Sequence, residues 1–416
     1  MVRGWLFALC LSISGSLQAQ SAAASFTGND WASLNDAGVK AYQRSQYGAA
    51  ERLLLQAESK ARNSANKLQL AASLNDLGLV YRAEERFGQA DAVYRESLRI
   101  RESLLNRHDP QVLVVMNNLA GSLLAQGKFP ESESLYLRCL KIREAALPPN
   151  SPEIANSLNN LAAVYTSEAK YSAAERLLRR ALAIREASLG KQSPQTANAL
   201  SNLASVYVYE GKLVEAESLY KRAVAIDEQE QGPVQTALTL DLSNLASLYV
   251  NQRKYSDAET AIDRSLQIRN KTLGPDHPLT IRNILDLGDA YMAASDLERA
   301  AEAYGRALTT LHQFGDKPSP EMAEATEKLA EISAAQEDFK QAIARYKDLL
   351  TLEAALLDAN DLHVAETLDR YAAVLRRNGQ DAEASLAENR AHDIHTATEA
   401  STRKSRQDQS VGRVKR

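Results

Sequence analysis

The chain has 416 residues, 44% of them apolar and 25% charged, with 49 basic against 53 acidic side chains. This is the composition of a soluble protein. The formal net charge of −4 excludes a whole-chain basic field of the kind that draws proteins to nucleic acid.

The first segment differs from the rest. Arg3 precedes an apolar run from Trp5 to Leu17, and Gln18-Ala19-Gln20-Ser21 follows. The pattern predicts a secretory signal peptide cleaved near Ala19 or within Ala22-Ala23-Ala24, in a run too short to span a bilayer stably. Cys10 falls in the segment to be removed, so the mature chain keeps one cysteine, Cys139, and forms no internal disulfide. Cys139 shares its phase with Ser97, Ala181, Ala223, Ser265 and Ala307, which predicts a small buried packing residue rather than a reactive thiol.

From Leu34 onward one period governs the chain. Leu74, Met116, Leu158, Leu200, Leu242, Ile284, Thr326 and Leu368 recur every 42 residues. Three residues later runs Leu77, Leu119, Leu161, Leu203, Leu245, Leu287 and Leu329, and sixteen later Ala90, Ser132, Ala174, Ala216, Ala258, Ala300, Ala342 and Ala384. A fixed period of this length marks a solenoid, in which no repeat can bury its apolar face alone. Each repeat reads as two amphipathic helices. Leu158, Leu161, Ala162 and Tyr165 make one apolar face, Lys170-Tyr171-Ser172 the turn, and Ala174, Leu177, Leu178, Ala181, Leu182 and Ile184 the second stripe. Gly190, Gly232 and Gly274 predict αL caps after second helices. Asp109-Pro110, Ser151-Pro152, Ser193-Pro194, His277-Pro278 and Ser319-Pro320 predict capped starts of the next first helices, and Pro130 the start of a second helix.

The pattern Leu-x-x-Leu-Ala/Gly-x-x-Tyr, an aromatic in the turn, then Ala-x-x-x-Tyr/Leu resembles the tetratricopeptide repeat. The 42-residue spacing, with LNNLAAVY, AERLLRRALAIRE and GPDHP, is similar to the long-helix subtype of kinesin light chain. The resemblance covers about residues 31–396. It departs at the first repeat (Leu34 to Glu58) and in the last two, where Thr326 and Asp381 replace apolar positions, as water-facing end repeats allow. The fold expected is all-α: a right-handed α-solenoid of about nine tetratricopeptide-type helix pairs. The organisation expected is a signal peptide over 1–19, a linker over 20–30, the solenoid over 31–396 and a basic disordered tail over 397–416. That tail carries Arg403, Lys404, Arg406, Arg413, Lys415 and Arg416 against Glu399 and Asp408. It reads as solvated, with a contact to anionic lipid, glycan or an acidic partner as the alternative.

On a helical wheel Asn156, Asn160, Ala163 and Ser167 point away from the helix-pair core. The Asn160 phase reads Asp76, Asn118, Asn160, Asn202, Asn244, Asp286, and the Ala163 phase Leu79, Gly121, Ala163, Ser205, Ser247, Asp289. The resemblance implies that first helices line a concave groove. It also implies that such asparagine ladders hold a peptide by its backbone, as in kinesin light chain and the sugar-transferring relative that modifies serine and threonine. Carried over, Asn118, Asn160, Asn202 and Asn244 form the ladder, with Asn156 and Asn198 beside it. An amide offers a donor and an acceptor, matching a peptide unit. Four net hydrogen bonds give roughly 2–6 kcal/mol, too little for selective binding, so Tyr209, Asn251, Arg282 and Met292 are expected to add specificity. The other reading is that the asparagines bond across to neighbouring helices.

Arg101, Arg143, Arg185 and Arg269 each follow an isoleucine and are expected in salt-bridged outer rows. No phosphate loop, serine elbow or His-Glu-x-x-His pattern occurs, and His392 and His395 have no further ligand cluster, so no enzyme, cofactor or metal is expected. The function expected is an exported, non-enzymatic scaffold or adaptor binding extended peptide segments in its groove. The alternative is an assembly factor of the cell envelope or a secretion machine, acting through array edges and tail. Partners expected are proteins or peptides, without nucleic acid or stable membrane insertion. The compartment favoured is the periplasm, with secretion as the other.

Overall fold

The computed structural model describes residues 30–229, 235–315 and 317–414, the side chains of Phe314 and of 399–414 excepted. The segment 1–19 and the Gly232 cap lie outside the described residues, which are helices and connections throughout. The chain divides into two compact units, 1–229 and 230–416.

The first unit contains α1 (Trp31–Gln43), α2 (Tyr47–Arg62), α3 (Lys67–Ala83), α4 (Phe87–Leu104), α5 (Pro110–Ala125), α6 (Phe129–Ala146), α7 (Pro152–Ser167), α8 (Tyr171–Leu189), α9 (Pro194–Tyr209) and α10 (Leu213–Asp227). The second contains α11 (Thr236–Asn251), α12 (Tyr255–Thr272), α13 (Pro278–Ala293), α14 (Leu297–Phe314), α15 (Pro320–Ala335), α16 (Phe339–Leu356), α17 (Leu362–Arg377) and α18 (Asp381–Val414). Among the described residues these are nine helix pairs, five in the first unit and four in the second, stacked in chain order within each unit, the α-solenoid architecture expected. Odd-numbered helices also touch their odd neighbours: α1 with α3, α3 with α5 and α7 with α9 in the first unit, α11 with α13 and α13 with α15 in the second. That side is the inner face of each unit.

The three apolar rows are buried throughout, from Leu74 and Leu77 to Leu368 and Ala384. Each fully buried leucine contributes about 1.5–3 kcal/mol. Thr326 is buried too, its hydroxyl donating to the Met322 carbonyl at 2.7 Å, so that substitution is absorbed by the core instead of facing water. Cys139 is buried as expected, and burial pushes its thiol up to about 12. The row it belongs to has a shared partner. Ser97, Cys139 and Ser265 donate to the carbonyls of Ala71, Leu113 and Thr239, each 26 residues back.

Turn chemistry departs from the expectation in three places. The turn inside a pair ends one residue before Tyr171, where α8 begins, and its left-handed residue recurs at one phase: Glu85, Gly127, Ala169, Gly211, Arg253, Ser295, Glu337 and Gly379, with φ between 56° and 75°. The next N–H reaches back across the turn, as in Lys170 to the Tyr165 carbonyl at 2.7 Å and Lys212 to that of Tyr207 at 2.8 Å, the 6→1 bond that closes a helix end. Gly190 has φ 89° but ψ 162°, which is not αL. Asp109, Ser193, His277 and Ser319 cap their helices through side chains, whereas Ser151 makes no side-chain capping bond.

The arginine row is corrected outright. Arg101, Arg185 and Arg269 are buried and Arg143 half-buried. Each Nη1 donates to a backbone carbonyl ten residues on, at the start of the next first helix: Gln111 (2.8 Å), Glu153 (3.1 Å), Gln195 (2.5 Å) and Leu279 (2.8 Å). Arg143 also reaches Ser157 Oγ at 2.8 Å, Arg185 reaches Asn156 Oδ1 at 2.9 Å, and Arg269 reaches Asn283. Burial lowers all four guanidinium pKa values, which shows the desolvation these contacts must offset. The salt-bridged outer row exists, but the glutamates that follow the arginines make it: Glu102, Glu144 and Glu186 pair with Arg138, Arg180 and Arg222 of the next second helix, all at 2.6 Å. The Ile-Arg-Glu stretch thus splits, arginine turning into the joint and glutamate toward solvent.

The backbone stays helical to Val414, where the sequence reading placed a disordered tail from 397. Between 381 and 414 there is no proline and one glycine, Gly412, so nothing local stops the helix. No helix among the described residues is long and apolar enough to cross a membrane.

Candidate functional site

In the first unit the asparagine row lies in the seam between successive first helices. The wheel pointed these side chains away from their own helix pair, and neighbouring first helices then cover that face, leaving Asn118 2%, Asn160 8% and Asn202 2% exposed. A polar chain crosses α1, α3 and α5. Trp31 Nε1 donates to Ser73 Oγ (2.9 Å), which donates to Asn35 Oδ1 (2.7 Å). Asn35 and Asn75 donate to the two oxygens of Asp76 at 2.9 and 3.1 Å, and Asn118 donates to Asn75 Oδ1 at 2.9 Å. Burial raises the Asp76 pKa, and the Asn35 and Asn75 bonds pull it back. Asn118 is therefore committed to its neighbour, the alternative that the sequence left open.

Farther along, Asn156 accepts from Arg185, and Asn202 donates to Asn198 Oδ1 at 3.3 Å. Three amides behave differently. Asn117 Oδ1 and both polar atoms of Asn159 are buried with no hydrogen-bond partner among the described residues, and the Asn160 amide has no protein partner there either. An unsatisfied buried amide costs about 1–3 kcal/mol, so Asn117 on α5 and Asn159 on α7 demand an explanation. Their phase neighbours are small and uncharged: Gly121, Ala163 and Ser205. The sequence reading missed Asn75, Asn117 and Asn159, although they recur at 42 residues as plainly as the row it chose. Tyr209, 36% exposed, stacks on Tyr171 with parallel rings 5.2 Å apart.

The inner face of the second unit is of another kind. Asn244 is buried and Asn251 exposed. Arg282, expected as a free specificity contact, is held by Glu324 (2.6 and 2.8 Å) and Asp286 (2.9 Å), with Asp289 at 3.8 Å. Tyr304 lies over Gly288, where an added Cβ would come within 2.6 Å of the ring, and donates to Asp289 Oδ1 at 2.6 Å. Lys328 pairs with Glu331 at 3.0 Å, and Arg370 with Glu327 and, at 3.1 Å, Glu331. Burial pushes the Asp286 carboxyl up to about 6 against the pull of Arg282, and raises Asp289 as well. Charged residues occupy the phases that hold amides in the first unit. No group of three side chains suited to a metal occurs among the described residues.

First helices packed side by side and backed by second helices define a helical-repeat scaffold protein. The chain matches the tetratricopeptide repeat family over residues 70–111, 111–187, 170–229, 236–311 and 285–355, and belongs to it. Similar solved structures include BtubC (BKLC) from P. vanneervenii, 25% identical over 54% of this chain and 90% of that one, with a TM-score of 0.45. A Podospora anserina protein titled as kinesin light chain nearly identical TPR-like repeats is 22% identical over 49% of this chain and 97% of that one, TM-score 0.45. The apo quorum sensor NprR from B. thuringiensis shares the fold over 87% of this chain and 97% of its own, at 14% identity and TM-score 0.55. No curated protein matches the sequence.

Proposed function

We propose that this is an exported interaction scaffold that holds an extended polypeptide segment on the inner face of its first unit. The observation that carries it is the Asn160 amide, 8% exposed, which has no protein partner among the described residues and stands beside the small Ala163. A side-chain amide there supplies the donor and acceptor that one peptide unit needs, and a ligand backbone would give the Asn160 amide the partner it lacks. Asn118 and Asn202 stiffen the wall and Asn160 reads the ligand. Export rests on the apolar run from Trp5 to Leu17, and N-terminal sequencing of the chain recovered from the envelope or medium tests it.

The binding test separates the two roles. Partners captured by the full chain from an envelope fraction are lost on Asn159→Ala with Asn160→Ala, while helicity and thermal midpoint are retained. Asn118→Ala lowers stability and leaves capture largely intact. Undiminished capture by the double variant would overturn the assignment.

A further inference from the structure

The arginine row that fastens one helix pair to the next is interrupted in the second unit. At the joint between α16 and α17 its place is taken by Glu353, 1% exposed. Glu353 keeps half of the arginine's contacts. Its Oε1 accepts from Thr367 Oγ1 at 2.8 Å, fourteen residues on, the same phase at which Arg143 meets Ser157 and Arg269 meets Asn283. The other half is missing. Oε2 is buried and has no partner among the described residues. The carbonyl that would receive an arginine Nη1 here, ten residues on, is that of His363.

We propose that Glu353 is a proton-operated latch between α16 and α17, closed when its carboxyl is neutral and weakened when it ionises. A neutral acid carries one O–H donor beside an acceptor, whereas a carboxylate only accepts. Every arginine joint places a donor against the incoming carbonyl, and only the protonated form of Glu353 can do so. An ionised Oε2 would be a buried, unpaired charge.

Charged groups face this carboxyl from both packed helices. From α17, His363 Nε2 lies 3.5 Å from Oε1, with its Nδ1 3.9 Å from Glu366, and Arg370 acts from the next turn. From α15, Glu327 opposes ionisation. Asp361 is engaged in capping α17 through the His363 N–H at 2.8 Å. Burial outweighs the Thr367 bond and the cations, and the Glu353 pKa stands above the ordinary carboxylate value. The sign follows. A group whose folded pKa is raised stabilises fully below its unfolded value, and that stabilisation disappears as pH climbs through the folded value. Acid therefore tightens the joint, and rising pH frees α17 and α18.

Hydrogen exchange read by mass spectrometry on the full chain, corrected for intrinsic rates, tests this from about pH 4, below the ordinary glutamate value of 4.5, up to about pH 8. Protection of α17 amides in the wild type falls roughly tenfold for each unit by which the folded pKa exceeds the unfolded one, while α5–α9 amides hold steady. Glu353→Gln, which keeps a donor at every pH, and Glu353→Arg, which restores the row, both flatten the α17 profile; His363→Ala leaves it sloping. A flat wild-type profile, an unchanged slope in Glu353→Gln, or a slope abolished by His363→Ala would each overturn the latch.

Discussion

Arg185 and Glu186 are adjacent, and the structure gives them opposite weights. Arg185 is 3% exposed and ties α8 to Gln195 of α9 and Asn156 of α7. Glu186 pairs with Arg222 at the surface, with a quarter of its side chain exposed and about a third of the arginine's. A hydrogen bond to a charged group is worth about 1.5–3 kcal/mol. Two are lost in Arg185→Ala together with the packing of the stem, less the desolvation cost that no longer has to be met. The expected loss is about 2–4 kcal/mol. Arg185→Lys keeps the charge without the fork and costs about 1–2 kcal/mol. Glu186→Gln costs at most about 0.5 kcal/mol. Urea denaturation of the full chain gives the global order, and hydrogen exchange localises the loss to α8 and α9, since repeat arrays need not unfold as one step. Raising salt to about 1 M, where the screening length is about 3 Å, should erase the Glu186 effect and leave that of Arg185. Equal costs for Arg185→Ala and Glu186→Gln, or an Arg185 effect abolished by salt, would refute the assignment of arginine to the joint and glutamate to the surface.

The left-handed phase inside each pair predicts that Gly211→Ala costs about 1–2 kcal/mol and that Ala169→Gly gains up to about 1 kcal/mol, seen as opposite shifts in denaturation midpoint; parallel shifts would discount the turn geometry. Asp286, pushed up to about 6 by burial, contributes stability below its ordinary value near 3.8 that fades as pH rises toward 6. Asp286→Asn should flatten the second unit's stability profile over that window, and an unaltered slope would assign the titration elsewhere. Cys139, buried with its thiol pushed up to about 12, should resist alkylation until the chain is unfolded, and prompt labelling at neutral pH in the native state would contradict its burial.

The apolar rows were fully legible in the sequence because burial in a repeat is a matter of phase, and phase is countable: Leu158 and its counterparts at 42-residue steps are buried without exception. The arginines were misplaced because charge was taken as a sign of solvent. Phase could have corrected that, since Arg101 lies four residues after Ser97 and shares the inward side of its helix. The αL turn was obscured by Glu85, Ala169 and Arg253, residues that give no glycine signal where the backbone nevertheless turns left-handed. The asparagine row recurs at a countable phase, but its burial depends on the neighbouring first helix, which a wheel drawn for one helix cannot contain.

That dependence on neighbours is also what makes the two inner faces different tools. A repeat fixes where a side chain stands, and substitution at a fixed place decides its chemistry. At the phase of Asn118, Asn160 and Asn202 the later repeats hold Asp286, Lys328 and Arg370; at the phase of Asn156 and Asn198 they hold Arg282, Glu324 and Glu366. In the proposed site an unpaired amide would engage a polypeptide through its backbone, indifferent to side-chain charge and little affected by salt. The second wall already spends Arg282, Lys328 and Arg370 on its own carboxylates, so a ligand there must displace ion pairs, and its affinity must respond to ionic strength. Salt dependence of capture therefore tests the proposed site: a complex held by the amide face of the first unit should survive about 0.5 M salt unchanged, and one that dissolves would count against that face.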